Sequence, residues 1–287
     1  MPLGDELTGD DCLVVIAAEA GRERTATLVK ETFEQSNAQL LVVDTFPRGL
    51  GGELAVLLPA MAIPKALVHR DLNPKYIESF GLNDFVEQNY DLLLTPGEPG
   101  QLDSVPTLHT RPWLIRDSNE LLSKECARTH FGLPESDQSP VVLVSGCGRP
   151  EEITEMTELA AWLRLQLKER VHVRFCSPTS NELADVSAWP LLPLLLAVDV
   201  LIGAGGYNTV SEARATQTPL LAFARSRMYD RQYVRLHARE QVENHCQLRD
   251  QILFLTQPAA LINRSHNLDY LNGTHLAVNT LMQLSSP

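Results

Sequence analysis

The chain lacks three things: a run of eighteen apolar residues, a surplus of basic side chains, and closely spaced cysteines. Without the first it has no candidate for a transmembrane helix, which needs roughly 20 consecutive apolar residues to cross the hydrocarbon core. The N-terminus also lacks a charged-then-apolar leader, so the expectation is a cytoplasmic protein with no integral membrane segment. Lys and Arg number 24 against 36 Asp and Glu, a net charge of −12. That balance argues against nucleic acid as the main partner, because a phosphate backbone calls for a broad basic surface, and it disfavours an anionic membrane for the same reason. The five cysteines (Cys12, Cys126, Cys147, Cys176 and Cys246) form no CxxC pair, and no histidine stands at metal-ligand spacing from them. Reduced, mostly buried thiols and no metal site are expected.

What is present is enough chain for two domains. The 287 residues are about twice the usual domain length, and 44% hydrophobic against 21% charged residues is the balance of a globular protein. From residue 12 short apolar runs alternate with amphipathic stretches: CLVVIAA, a helical 23–36, LLVVD at 40–44, ELAVLLPAMA, KALVH at 65–69, a helix near 75–88 and DLLLT at 91–95. This is the rhythm of a parallel sheet. A Pro- and Gly-rich loop follows, then PWLI at 112–115 and a short polar helix. Residues 132–140 (GLPESDQSP) form turns and lack apolar periodicity, which places a domain boundary between residues 1–131 and 138–287. A second unit then begins with VVLVS, the turn GCGRP and a helix over 151–168, with Pro150 suited to its first position. It continues through VHVRF, a helical PLLPLLLA, DVLIG at 199–203, a helix over 209–216 and PLLAF at 219–223. The near-continuous apolar strands suit a sheet covered on both faces.

The chemistry concentrates in residues 199–238. A strand ends at Gly203, glycines at 203, 205 and 206 let the backbone turn sharply, and a helix starts at Asn208 or Thr209. Free amides and the positive dipole end at such a start suit an anion. A plain strand-to-helix connection would read the same way. Glu212 is equally open, because Thr209-Val-Ser-Glu212 matches a capping box and could serve only the helix.

GGYNTVSEARATQTPLLAF followed by DRQYVR resembles the donor-binding signature of GT-B glycosyltransferases, and among them the family of the UDP-N-acetylglucosamine transferase that makes lipid II. The resemblance implies an α/β chain of two Rossmann-like domains, with a UDP-sugar as donor substrate and no cofactor. Carried over by position, Gly205, Gly206, Asn208 and Thr209 would receive the diphosphate, Glu212 the ribose, and Asp230 and Gln232 the sugar. Gly146 and Gly148, in Ser145-Gly-Cys-Gly148, stand where the family has a second glycine turn, and Trp189-Pro190 where it has a loop beside the nucleobase. Trp189 could as well be an ordinary core aromatic. Arg227 and Arg231 are candidate phosphate ligands in a run with Arg225, Arg235 and Arg239. Positions 227, 231, 235 and 239 would also fall on one helical face, and for all but Arg227 and Arg231 a solvated stripe paired with acidic neighbours is the expected account.

Residues 40–77 are similar to the later part of that family's acceptor domain, which would put Asp44, Thr45, Pro47, Arg48 and Gly49 on the cleft, with His69 and Arg70 ending the next strand. The family's Gly-His turn is missing before residue 40, where only one strand and one helix precede LLVVD, so the first domain is expected to be shortened by roughly two βα units. Asp44 and His69 are then the two candidates for the base. Three accounts fit the shortening: a truncated product, a half supplied by a partner subunit, or a protein that binds without catalysing. The expected function is sugar transfer to an acceptor hydroxyl without metal. The alternatives are a non-catalytic binding or scaffold protein and a sugar-nucleotide epimerase. A dimer or partner protein is expected to cover the incomplete domain.

Overall fold

The computed structural model describes Val14, Ile16 and residues 20–146, 148–177, 185–262 and 269–285. The strand expected over 12–18 lies outside the described residues apart from Val14 and Ile16, as do Cys12 and Cys147. Two compact units divide the chain. The C-terminal unit is built from residues 114–227 and 232–271, and the N-terminal unit from the residues up to Trp113, the segment Met228–Arg231 and the tail from Asn272.

The N-terminal unit contains α1 (Arg22–Ser36), β1 (Leu41–Asp44), α2 (Leu54–Leu57), β2 (Lys65–Val68), α3 (Pro74–Ser79), α4 (Leu82–Asn89), β3 (Leu92–Pro96) and β4 (Thr107–Thr110). Its four described strands are parallel and lie in sequence order, β1-β2-β3-β4. Leu67, Leu93, Leu82, Val86 and Leu58 bury one face with Phe46 and Tyr76 nearby. The other face, Ala66, Val68, Leu92 and Leu94, packs against Trp113, Leu281 and Leu284.

The C-terminal unit contains α5 (Lys124–His130), β5 (Val141–Ser145), α6 (Pro150–Leu167), β6 (His172–Ser177), β7 (Val186–Ser187), β8 (Val200–Ala204), α7 (Tyr207–Ala215), β9 (Leu220–Phe223), α8 (Gln232–Arg235), α9 (His245–Leu255) and α10 (Pro258–Ile262). The final helix, α11 (Thr274–Leu284), returns to the N-terminal unit and supplies Leu281 and Leu284 to its core. The sheet order is β7-β6-β5-β8-β9, all parallel. The order reverses between β5 and β8, and open α/β sheets place ligands beyond the carboxyl ends of the strands at such a reversal. Val142, Val144, Val200 and Ile202 face α6 and α9 on one side. Val141, Leu143 and Leu201 face α5, α7 and the Leu192–Ala197 turn on the other.

Four expectations need correction. The division falls at Trp113/Leu114 rather than at 132–140, because Leu114, Ala127, Phe131 and Leu133 are buried in the same core as Val141 and Leu143. The fourth strand is Thr107–Thr110, paired with β3, and not PWLI at 112–115, where Pro112 has no N–H to give a ladder. The helix expected over 75–88 is two, broken at Gly81, which takes φ +55. PLLPLLLA forms a 3-10 turn over Leu192–Ala197 with Pro193 near its start. Among the described residues no helix is long and apolar enough to cross a membrane.

Candidate functional site

The loops after β5 and β8 leave neighbouring strands side by side, and a Cβ built on Gly203 would stand 3.9 Å from the Cβ of Ser145. Helix α7 starts at Tyr207 with Gly206 as its N-cap, and no side chain caps it. The amides at such a helix start have no partner within the helix itself. The space over Gly206 is open, and Asn208 is exposed beside it.

The capping account of Glu212 fails in this geometry. Because the helix begins at Tyr207, Thr209 and Glu212 both lie inside it and form no capping box. The half-buried carboxyl of Glu212 is pushed up to about 7 by desolvation, so the charged form carries a penalty in the free protein.

Gly205 has a packing reason of its own. A Cβ there would meet the backbone oxygen of Gln232 at 2.9 Å and its Cβ at 3.1 Å, so only glycine lets α8 lie against the turn. Gln232 is buried, its Oε1 accepts the Arg225 N–H at 2.9 Å, and Arg235 Nη1 donates to the Gly205 carbonyl at 3.2 Å. The glycine turn, the helix start, Glu212 and Gln232 thus belong to one constellation in the C-terminal unit.

The first glycine turn is arranged differently. Gly146 is required because a Cβ would strike the Phe175 ring, and Gly148, at φ +111, because it closes on the Glu152 carboxylate. Glu152 takes the Arg149 N–H at 2.9 Å and both Arg227 nitrogens, Nη1 at 2.6 Å and Nη2 at 2.8 Å, with Arg225 at 3.9 Å. The Arg227 hydrogen bond leads in holding this carboxyl at about 2, well below the usual range. Both glycines are accounted for by packing, and Arg227 is engaged by a carboxylate. The expected arginine stripe does not form, because no helix spans 227–239; Arg225 turns to Glu155, Arg227 to Glu152, Arg231 to Asp71 and Arg235 to Gly205. Trp189 is 37% exposed and so is not an ordinary core aromatic.

In the N-terminal unit, Asp44 ends β1 with its side chain 65% exposed, paired with Arg70 Nη2 at 2.9 Å. Thr45 Oγ1 donates to Asp44 at 2.9 Å and accepts from Arg70 Nε at 2.8 Å. Thr45 sits at φ +65, a true outlier for a β-branched residue and a kind of strain that clusters at functional sites. His69 is only 1% exposed. Its Nε2 accepts the Gln101 N–H at 3.0 Å, and burial lowers its pKa to about 4, so the ring is neutral near pH 7. Sealed and already bonded, His69 holds a loop and is not placed to take a proton from an acceptor. Asp230 and Arg231 belong with this unit, whereas Gln232 belongs with the other.

Sequence reasoning passed over Asp71, Asn73, Glu98, Gln101 and Glu152. Asp71 directly follows a strand-ending His-Arg pair, which is a usable signal. Glu98 and Gln101 contact it or its neighbour from 27 and 29 residues away, and nothing local announces that.

No protein-family model matches the chain, and no curated protein matches it. Solved structures do. The chain is similar to the glycotransferase of kitacinnamycin (14% identity, 92% of this chain and 80% of that one, TM-score 0.60). It is also similar to a spinosyn rhamnosyltransferase complexed with thymidine diphosphate (16%, 91% and 77%, TM-score 0.56). A third is the UDP-GlcNAc 2-epimerase from Neisseria meningitidis bound to UDP-GlcNAc (12%, 97% and 86%, TM-score 0.60). At such identities the likeness shows the fold: two Rossmann-like domains of GT-B type. None of these three is a lipid II transferase, so the resemblance to that family narrows to its fold.

Proposed function

We propose that the chain binds a nucleoside diphosphate sugar on its C-terminal unit and transfers the sugar to an acceptor hydroxyl, as a metal-independent hexosyltransferase of the cytoplasm. The observation that carries this reading is Glu212. A half-buried carboxyl that caps nothing, on the first turns of a helix whose N-cap is a glycine, is costly in the free protein. Two ribose hydroxyls donating to it would offset that cost, with the diphosphate at Gly206, Asn208 and Thr209 and the sugar at Gln232. Two of the similar structures hold thymidine diphosphate and UDP-GlcNAc, which supports the ligand class and names the probes.

In the reaction a base removes the acceptor proton as the sugar–phosphate bond breaks, and the α7 amides stabilise the departing diphosphate. Asp44 is the candidate base whose oxygens reach solvent. A second reading, binding without catalysis, is favoured by the sealed His69 and by the ion pair that already engages Asp44.

The test is calorimetric titration of the chain with UDP, UDP-N-acetylglucosamine and thymidine diphosphate, beside Glu212→Ala. Loss of two hydrogen bonds to a charged group predicts affinity about ten- to a hundredfold weaker in the variant. Unchanged affinity would remove Glu212 from the site, and no binding to any nucleotide would end the proposal. Product analysis with and without acceptor separates transfer from epimerisation and from binding alone.

A further inference from the structure

Helices α7 and α9 pack on opposite faces of β9, the outer strand of the C-terminal sheet, and beside the start of that strand they leave a cavity of about 790 Å³. Small-molecule sites have volumes of roughly 300–1,000 Å³ and are mostly apolar, with a few convergent polar groups. Here Leu220, Leu221, Phe254 and Leu255 supply the apolar wall, and Phe254 is 65% exposed. Gln251, Phe254 and Leu255 stand three and four residues apart and share one face of α9, while Leu248 and Ile252 turn to the sheet. Arg214, Arg239 and Glu240 complete the lining. The Oε1 of Gln251 is buried without a hydrogen-bond partner, a costly state for a polar atom in a folded protein. Glu240 is already engaged, by Arg214 at 3.3 Å and by the His237 N–H at 2.8 Å. Arg239 is exposed and forms no ion pair among the described residues. Two arginines against one glutamate leave this wall at +1 in a chain of net charge −12, so the cavity favours an anion where the molecule as a whole does not.

We infer that this cavity is a second ligand site, for a small amphipathic anion whose apolar body lies against Phe254 and the leucines, whose charged head meets Arg239, and whose hydroxyl donates to Gln251. A guanidinium offers a carboxylate or similar head two parallel donors. The hydroxyl supplies the partner that the buried Gln251 oxygen lacks, without bringing a second charge into the cavity. The site is separate from the constellation at the glycine turn. It touches α7 at Ala213 and Arg214, in the last turn, and a helix of nine residues places that turn roughly 13 Å from Gly206. The inference therefore stands whether or not a sugar nucleotide binds at the other end of α7.

The experiment titrates three probes calorimetrically into the wild-type chain, Arg239→Gln and Gln251→Leu: 6-hydroxy-2-naphthoate, 2-naphthoate, which lacks the hydroxyl, and 2-naphthol, which lacks the charge. The wild-type chain binds 6-hydroxy-2-naphthoate about tenfold more tightly than either analogue, the effect of one added hydrogen bond or ion pair. Arg239→Gln, at an exposed position, brings that affinity down to the level of 2-naphthol, and Gln251→Leu brings it down to the level of 2-naphthoate. Because Gln251→Leu also removes the orphaned acceptor, the free variant melts at a higher temperature than the wild-type chain, so its weaker binding cannot come from unfolding. A cavity that holds only water binds none of the probes, and that result overturns the inference. So does equal affinity for all three, affinity that both variants leave unchanged, or displacement of the probe by UDP, which would put it at the glycine turn instead.

Discussion

Glu212 shows how one residue can be legible and still ambiguous. Its place in a capping pattern is visible in the sequence, but only the start of α7 at Tyr207 removes that duty. Its carboxyl, ordinarily near 4.5 and here about 7, keeps a proton in the folded chain that the unfolded chain releases. Stability of the free protein should therefore fall as pH rises from about 4.5 to 7, and Glu212→Gln should flatten that fall. Melting temperatures at pH 5 and pH 8 read this directly, and equal slopes for the two proteins would exclude the assignment. Ribose donors favour the ionised form, so the affinity for a sugar nucleotide, whose phosphates do not titrate in this range, should rise from pH 5.5 to 8 in the wild-type chain and not in Glu212→Gln. His69 was legible as a strand-ending histidine. That it is sealed under Gln101 was not, because its partner lies 32 residues on.

At the scale of the element, the two glycine turns look alike in sequence and differ in what they are for. Gly146 and Gly148 close on Phe175 and Glu152, whereas Gly206 faces open space at the start of α7. Between them stands Gly205, pressed against the Gln232 backbone. Gly205→Ala should cost about 1–3 kcal/mol from overpacking and should weaken sugar-nucleotide binding as α8 shifts. Gly206→Ala, at an N-cap with open space over it, should cost less, about 0.5–1 kcal/mol from the N-cap preference for glycine over alanine. Denaturant melts of both variants measure the contrast, and equal costs would mean that the turn does not set α8. The arginine stripe failed for a related reason: spacing of four predicts a face only where a helix exists, and α8 covers Gln232–Arg235 alone.

The whole molecule depends on α11, which returns from the C-terminal end of the chain to cover Ala66, Val68, Leu92 and Leu94. Gly273 makes this possible, because a Cβ there would collide with the Arg111 carbonyl. Ending the chain after Leu271 should uncover that face and destabilise the N-terminal unit by about 2–4 kcal/mol, the burial of two partly covered leucines. Hydrogen exchange in β2 and β3 would report it, and unchanged protection would show that the sheet stands without the helix. The sequence by itself determined the parallel α/β architecture, the two units and the glycine turn before α7, since apolar period, glycine placement and motif spacing are properties of neighbouring residues. Tertiary structure alone decided that residues 114–133 belong with the C-terminal core and that 228–231 and 272–285 belong with the N-terminal unit. It also decided that Arg227 and Arg231 answer to Glu152 and Asp71, 75 and 160 residues distant. Such pairings follow from which buried charge must be neutralised once the chain has folded, and no local pattern encodes them.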